Sequence, residues 1–223
     1  MLSKKSEERP PFGKATCFKN VLIETGGGRL FIEKEENMKV SVESSVRAVA
    51  QMLGVADGVE RYLEGEESEE GKKDAELLLQ CFNHVENELA LDYLPLTEEE
   101  ETYSSTGVLF FADLSRAAAR ILRVEDEEGN SLKFRLFPDH LQTQAGKLKV
   151  IYAYAPEEKT MDGESDYQTE VSERLFIYGM AAEYSLAEGE LEAASTWDKK
   201  YKEAIEAAYK IRSVKRIPSR GWF

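Results

Sequence analysis

The residue types that carry most enzyme and metal chemistry are scarce in this chain of 223 residues. Its two cysteines, Cys17 and Cys81, are far apart and have no C-x-x-C partner, and its two histidines, His84 and His140, are equally isolated. Because a structural zinc site takes about four clustered Cys or His ligands, we expect no metal site in this chain. We predict that both cysteines are buried, reduced thiols with a structural role.

Nucleophilic and acid–base catalysis also lack a recognisable pattern. The chain has no G-x-S-x-G motif and no histidine-containing nucleophile motif. His140 follows Asp139 in FPDHLQT, but a turn at the end of a strand explains that pair more simply. With 43 acidic residues, two carboxylates at glycosidase separation will meet by chance. We therefore predict no catalytic and no cofactor-binding residue and infer that the protein is not an enzyme; an enzyme with an unrecognised site is the alternative.

Two runs resemble ligand-binding loops in composition only. Gly26–Gly28 lacks the GxxxxGK[ST] spacing of a phosphate loop, so we predict a hairpin turn between strands at Phe18–Ile23 and Leu30–Ile32. The run EGEESEEG, residues 64–71, lacks the alternating acidic pattern of an EF-hand. A solvated surface loop is the better interpretation of that run.

The charge balance excludes a conventional nucleic-acid-binding protein. The chain carries 43 acidic and 29 basic residues, for a net charge of -14, whereas affinity for DNA phosphates comes from clustered Lys and Arg. It has no apolar run of membrane-spanning length, and its charged N-terminal residues lack the apolar core of a secretory signal. These features predict a soluble protein that folds in the cytoplasm.

Hydrophobic spacing predicts helices on both sides of the chain's middle. VSVESSVRAVAQMLGV has apolar residues at helical spacing, with Ser41 as the N-cap and Gly54 as the stop, and VERYLEG adds a further turn or two. Residues 72–93 keep one apolar face of a long helix that Pro95 ends. Two later helices meet at a tight turn at Gly189, and they are predicted to form an antiparallel hairpin.

The middle of the chain, from about residue 102 to 154, changes to short segments rich in β-branched and aromatic residues: GVLFFADL, RILRVEDEEG, LKFRLFPDHL and KLKVIYAYAP. Turn signals separate them, so they predict an antiparallel sheet. The fold class is therefore α+β, mainly a helical bundle of about four helices with an inserted small antiparallel β region and an extended C-terminal tail. The predicted units are an N-terminal arm at 1–37, the helical bundle at 38–95 and 166–211, the β region at 96–165, and the tail at 212–223.

The last twelve residues, RSVKRIPSRGWF, contrast with the acidic body. They carry too little apolar surface to fold alone, and Pro218 would break a helix that ran into them. Trp222 and Phe223 are a liability when exposed, so we predict that the tail docks on a partner. The alternative is a frayed basic end that balances the acidic body.

In this order of elements the sequence resembles the head-to-tail adaptor, or connector, proteins of tailed bacteriophages. The segments that carry the likeness are VESSVRAVAQMLGV, DAELLLQCFNHVENELALDYLPL, the helical hairpin LFIYGMAAEYSLAEGELEAASTWDKKYKEAI, and VKRIPSRGWF. They span roughly the C-terminal four fifths of the chain. Residues 1–37 depart from the family pattern.

The resemblance implies a structural virion protein of the phage neck that has no enzymatic activity and is assembled in the host bacterial cytoplasm. It implies a cyclic ring of about twelve copies beneath the portal, which continues the DNA channel toward the tail. The implied partners are copies of the same chain, the portal protein, a downstream tail or neck protein, and DNA that passes through the lumen without specific binding; no membrane and no cofactor is implied. The residues expected to dock on the portal are Arg212, Lys215, Arg216, Ile217, Arg220, Trp222 and Phe223.

Two alternatives to the adaptor function remain open from the sequence. The first is another neck or tail-completion protein, which would also form rings but would place its sheet at the subunit interface. The second is a small-ligand or carbohydrate-binding module that uses Tyr152, Tyr154 and Phe137 as stacking platforms. Because side chains alternate between the two faces of a strand, Tyr152 and Tyr154 lie on the same face. The sequence does not determine which face is buried.

Overall fold

The computed structural model describes residues 39–66, 68–167 and 171–212. The predicted glycine hairpin, Cys17 and residues 213–223 of the tail lie outside the described residues. Within them the α+β fold class is confirmed in its broad form: helices precede and follow a β region that consists of two small antiparallel sheets.

Five described α-helices form the helical part of the protein. They are α1 (Val42–Leu53), α2 (Ala56–Leu63), α3 (Glu69–Glu88), α4 (Glu173–Ala187) and α5 (Leu191–Arg212). Helix α4 packs against α1, α3 and α5, so it is the central element of the bundle. The Phe82 ring of α3 stacks on the Phe176 ring of α4 with 5.0 Å between centroids, and both side chains are fully buried.

The helix ends follow the predicted signals. Ser41 caps α1 by accepting a hydrogen bond from the Ser44 amide, and Gly54 ends this helix in the left-handed conformation with φ at 80°. Ser68 caps the N-terminus of α3 by accepting a hydrogen bond from the Gly71 amide. It continues through a π-helical turn, Leu89–Tyr93, so that helical backbone stops just before Pro95.

Glycines allow two close helix contacts. A Cβ atom added to Gly71 of α3 would lie 2.0 Å from the Gly58 carbonyl oxygen of α2, so the two backbones touch directly. A Cβ atom on Gly179 of α4 would lie 2.9 Å from both Val85 methyl groups of α3. The helices therefore approach closely at both positions, through backbone contact at Gly71 and through the Val85 side chain at Gly179.

Six described strands form the β region between α3 and α4: β1 (Leu96–Ser104), β2 (Val108–Phe110), β3 (Ala118–Glu125), β4 (Arg135–Leu136), β5 (His140–Gln142) and β6 (Gly146–Tyr154). They make two antiparallel sheets, in the orders β1-β6-β3 and β2-β5-β4. Residues Leu148, Val150 and Tyr152 of β6 form the buried face of the larger sheet. Leu96, at the start of β1, packs against both this core and the core of the bundle.

The structure differs from the sequence prediction in three respects. The predicted bundle of about four helices is not confirmed, because residues 56–63 form the separate helix α2. The single predicted sheet is two sheets. Strand β1 was missing from the prediction, since Glu98–Glu101 interrupt its apolar alternation with four consecutive acids. No described helix is both long and apolar enough to cross a membrane.

Candidate functional site

The predicted docking tail lies almost wholly outside the described residues. Arg212 is the last residue of α5. The other predicted contacts all follow it in the chain and belong to the part that the structure does not describe: Lys215, Arg216, Ile217, Arg220, Trp222 and Phe223. The structure therefore places the start of the tail at the free end of the α4–α5 hairpin, opposite the Gly189 turn.

A buried carboxylate joins the bundle to the segment that leaves the sheet. Glu86 of α3 is 1% exposed. Its Oε1 atom accepts hydrogen bonds from the Ser165 hydroxyl at 2.6 Å and from the Asp166 amide at 2.8 Å. Its Oε2 atom has no hydrogen-bond partner and faces Lys159 Nζ at 4.0 Å. Burial raises the pKa of Glu86, although these hydrogen bonds and Lys159 oppose the shift.

The same network extends from the bundle to the sheet through two cations. Lys159 Nζ lies 2.7 Å from Asp166 Oδ1, and Arg116 Nη1 lies 2.8 Å from Asp166 Oδ2. The Arg116 guanidinium also stacks over the Tyr154 ring of β6, 4.4 Å from its centroid. Burial by itself would raise the pKa of Asp166. The hydrogen bonds and charges of Lys159 and Arg116 outweigh this effect and lower the pKa below its ordinary value.

Backbone contacts fix the segment 156–167 between the two cores. The Asn83 side chain accepts a hydrogen bond from the Lys159 amide at 2.7 Å and donates one to the Lys159 carbonyl at 3.1 Å. The buried Tyr167 hydroxyl donates to the Leu94 carbonyl at 2.6 Å. Together with the buried carboxylate and its two cations, these contacts connect the bundle to the sheet. We call the cluster of bonded side chains the junction and define it as Glu86, Arg116, Lys159, Ser165 and Asp166.

A groove opens between α4 and α5 near the start of the tail. It has a volume of about 440 Å³. The residues that line it are Ser172, Arg174, Leu175, Tyr178, Lys200, Glu203, Ala204, Ala207 and Ala208. Closer to the Gly189 turn, the Trp197 side chain fills the space between the same two helices and stacks on Tyr178 with 6.0 Å between centroids. The groove lies in the last turns of α5, where the lining positions of this helix carry the small side chains of Ala204, Ala207 and Ala208. We call it the α4–α5 groove.

A second exposed apolar feature lies on the smaller sheet. The Phe137 ring stacks on His140 with 4.5 Å between centroids, and Phe110 lies 5.6 Å from the same imidazole. Asp139 Oδ1 lies 2.7 Å from His140 Nδ1, so the predicted turn pair is also in contact. Phe110 and Phe137 remain 48% and 40% exposed.

The tyrosines proposed as a carbohydrate platform are not available to a ligand. Tyr152 is fully buried and Tyr154 is 6% exposed, because the face of β6 that carries them packs on the sheet core. The Tyr152 hydroxyl donates to Glu100 at 3.1 Å. The stacking platform expected from Tyr152, Tyr154 and Phe137 is therefore wrong, because only Phe137 of the three side chains is exposed.

The described part of the chain holds no group of three or more His, Cys, Asp and Glu side chains arranged to bind a metal ion. His84 is exposed and lines a polar hollow with Gln80, Asn87 and Glu157. Cys81 is buried, as predicted, and its thiol is free.

Sequence reasoning missed both the junction and the α4–α5 groove. Glu86 and Asp166 are two among 43 acidic residues, and nothing in their local sequence marks them as buried. The groove had a readable signal in the alanines at 204, 207 and 208, which repeat at helical spacing just before the tail. A scan of the chain against models of known protein families gave no match, and a search of curated protein sequences gave none.

Proposed function

We propose that the protein is a structural component of a tailed-phage virion, a head-to-tail adaptor that forms a ring under the portal and continues the DNA channel toward the tail. The observation that carries the proposal is the order of its elements. A β region is inserted between α3 and α4 of one helical core, and the α4–α5 hairpin leads directly into a basic, aromatic tail. The sequence resemblance rests on this same order.

The tail is the portal-binding element in this proposal. Arg212, at the end of α5, starts a segment with four cations and three large apolar side chains. Cations of the tail pair with acidic portal surface, and Ile217, Trp222 and Phe223 fill apolar pockets, which is the typical composition of an interface hot spot.

The acidic body suits a channel through which DNA moves. A net charge of -14 in each copy repels phosphates, and the clustered cations of the tail are assigned to the portal in this proposal. In the ring, DNA therefore passes without specific binding, while the downstream neck or tail protein binds the face opposite the portal.

Helices, and not strand edges, form the ring interface in this proposal. The edge strand β1 carries four consecutive glutamates, Glu98–Glu101, and charged edge strands disfavour strand addition by a neighbouring copy. This feature favours the adaptor over a tail-completion protein that assembles through its sheet.

Binding to the portal encoded near this chain tests the proposal. The full chain and portal are mixed, and rings are detected by negative-stain electron microscopy and light scattering. We expect added density on the narrow end of the portal, and we expect a chain ending at residue 211 to lose it while its circular dichroism is unchanged. A monomer that ignores the portal contradicts the proposal.

A matched pair of variants separates the tail from general surface effects. Trp222→Ala removes a large apolar side chain from the tail, and Leu191→Ala removes one that is 66% exposed at the start of α5. Portal affinity is expected to fall about tenfold or more for Trp222→Ala, as for a hot-spot residue, and to change little for Leu191→Ala. Equal effects of the two changes would exclude the tail as the docking element.

A further inference from the structure

The α4–α5 groove is an apolar site that no part of the described chain fills. Its apolar lining consists of Leu175, Tyr178, Ala204, Ala207 and Ala208. The other lining residues are polar or charged, and a largely apolar lining with a few polar groups is typical of sites that bind small ligands. Its volume of about 440 Å³ suits one or two large side chains.

We propose that this groove binds the chain's own C-terminal tail, residues 213–223, when no other partner holds it. The apolar side chains that would enter it are those of Trp222 and Phe223. The contact is intramolecular, and it does not require the adaptor function, since it concerns the free chain alone.

The position of the groove makes the contact easy to reach. Ala204 lies eight residues before Arg212, where α5 ends. At a helical rise of about 1.5 Å per residue, this places Ala204 about 12 Å from the end of the helix. If the chain reverses after Arg212, the ten residues up to Trp222 span up to about 33 Å in extended form. The aromatic pair therefore reaches every part of the groove with length to spare.

The composition of the tail also fits a segment that lies along a groove. Pro218 fixes its own φ and restricts Ile217 to extended backbone, which lowers the entropy lost when the segment is ordered. Glu203, which lines the groove, offers a carboxylate to Arg220. The lining also holds two cations, Arg174 and Lys200, and Lys200 already lies over the Trp197 ring, 4.1 Å from its centroid.

Tethering favours the chain's own tail over a second copy. A segment joined by a short flexible linker has an effective concentration in the millimolar range at its site. A second copy of the chain at micromolar concentration is therefore outcompeted for the same groove. A partner that binds the tail more tightly has to displace it from the groove first.

Tryptophan fluorescence tests the proposal in the full chain. The chain has two tryptophans, Trp197 and Trp222, so Trp197→Phe leaves Trp222 as the sole reporter while it keeps an aromatic ring beside Tyr178. We expect Trp222 to emit at shorter wavelength than in the synthetic peptide RSVKRIPSRGWF and to have a several-fold smaller acrylamide quenching constant. Emission and quenching equal to those of the peptide would overturn the proposal.

Two groove variants show where Trp222 is shielded. Ala207 is an exposed residue of the groove lining, so Ala207→Leu fills part of the groove and Ala207→Arg adds a cation that repels the basic tail. Both changes, made in the Trp197→Phe chain, are expected to move Trp222 emission and quenching to the peptide values. Ser195→Leu, at an exposed position of the same helix, is the control and is expected to leave them unchanged. Circular dichroism checks that each variant is folded.

The remaining outcomes are equally decisive. Shielding that persists in both Ala207 variants places Trp222 elsewhere, for example against residues 1–38, and contradicts the groove as its site. Shielding that disappears on dilution shows a contact between copies and contradicts intramolecular docking. Because neither measurement uses the portal, failure of this proposal is distinguishable from failure of the adaptor function.

Discussion

Glu86 in α3 accepts a hydrogen bond of 2.6 Å from Ser165, which lies 79 residues later in the segment that leads from the sheet to α4. The bond closes a loop that contains the entire β region. Together with the Asp166 ion pairs, it holds the sheet at a fixed position on the bundle. The adaptor proposal requires such rigidity, because an interface formed by one part of the protein is useful only if the other part is held in a fixed position.

Removal of this hydrogen bond is expected to destabilise the protein. Ser165→Ala leaves the buried Glu86 carboxylate with the Asp166 amide as its one remaining hydrogen-bond donor and is expected to cost about 1.5–3 kcal/mol in the free energy of unfolding. In a Glu86→Gln background the cost should be smaller, so a double-mutant cycle by urea denaturation should give a coupling energy of about 0.5 kcal/mol or more.

The control for this cycle is Glu76→Gln. Glu76 lies on the same helix, its side chain is 55% exposed, and it makes only a 3.9 Å pair with Lys72. We expect its change to stay within about 0.5 kcal/mol. A zero coupling energy between Glu86 and Ser165 would show that the bond does not hold the junction.

Asp166 should make the junction sensitive to acid. Its pKa is lower in the folded protein than the ordinary value of 3.8, because Lys159 and Arg116 bind its charged form. A carboxylate of this kind contributes stability that is complete above the unfolded pKa and is lost as the pH falls through 3.8 toward the folded pKa.

Comparison with Asp166→Asn isolates this contribution. The difference in unfolding free energy between the parent chain and the variant should be constant above about pH 5 and should shrink progressively below about pH 4. Urea denaturation at a series of pH values measures it. Asp113→Asn is the control, since Asp113 is exposed in the turn that follows β2 and lies outside the junction. A difference that grows on acidification would contradict the assigned ion pairs.

Gly71→Ala gives a prediction with an unusual sign. Alanine in place of glycine within a helix normally stabilises by up to about 1 kcal/mol. Here the new Cβ would lie 2.0 Å from the Gly58 carbonyl oxygen, so α2 and α3 would have to separate. We expect a loss of about 1–3 kcal/mol in thermal or urea unfolding. A comparison of Gln80→Ala with Gln80→Gly, at an exposed position of the same helix, measures the propensity effect alone, and a gain for Gly71→Ala would show that the helices do not touch there.

Local sequence signals predicted the helices well because their causes are local. Ser41 caps the start of α1 and Gly54 ends it. Gly189, with φ at 82°, reverses the chain between α4 and α5. Strand β1 escaped prediction because its glutamates are compensated by partners distant in sequence, such as Lys149, whose Nζ lies 2.5 Å from Glu99 Oε2. That compensation is visible only after the chain has folded.

The junction was beyond prediction for the same reason. Lys159 and Asp166 look like ordinary surface charges in sequence, and their burial follows from the path of residues 156–167 between two cores. The docking tail stays a prediction from composition, whereas the groove requires knowledge of which faces of α4 and α5 meet. Burial of Cys81 was predicted from residue type, and its free thiol leads to a further test.

The Cys81 thiol should be unreactive in the folded protein. Burial, together with the nearby Glu183 charge, raises its pKa to about 12. Since the thiolate is the reactive form, alkylation by iodoacetamide near pH 8 should be much slower than in urea. Mass spectrometry of the peptide that contains Cys81 distinguishes it from Cys17. Equal rates in folded and unfolded protein would show that the helix α3 face is open to solvent.

Assembly in the absence of portal should depend on salt. Copies with a net charge of -14 repel one another, and this repulsion acts over about 30 Å at 0.01 M salt but only about 3 Å at 1 M. If the adaptor proposal is correct, light scattering should detect monomer at low salt and a growing ring fraction at high salt. Added portal should produce rings even at low salt, because the tail contacts then supply the missing free energy. Equal ring formation at both salt concentrations without portal would contradict the view that the portal serves as the template.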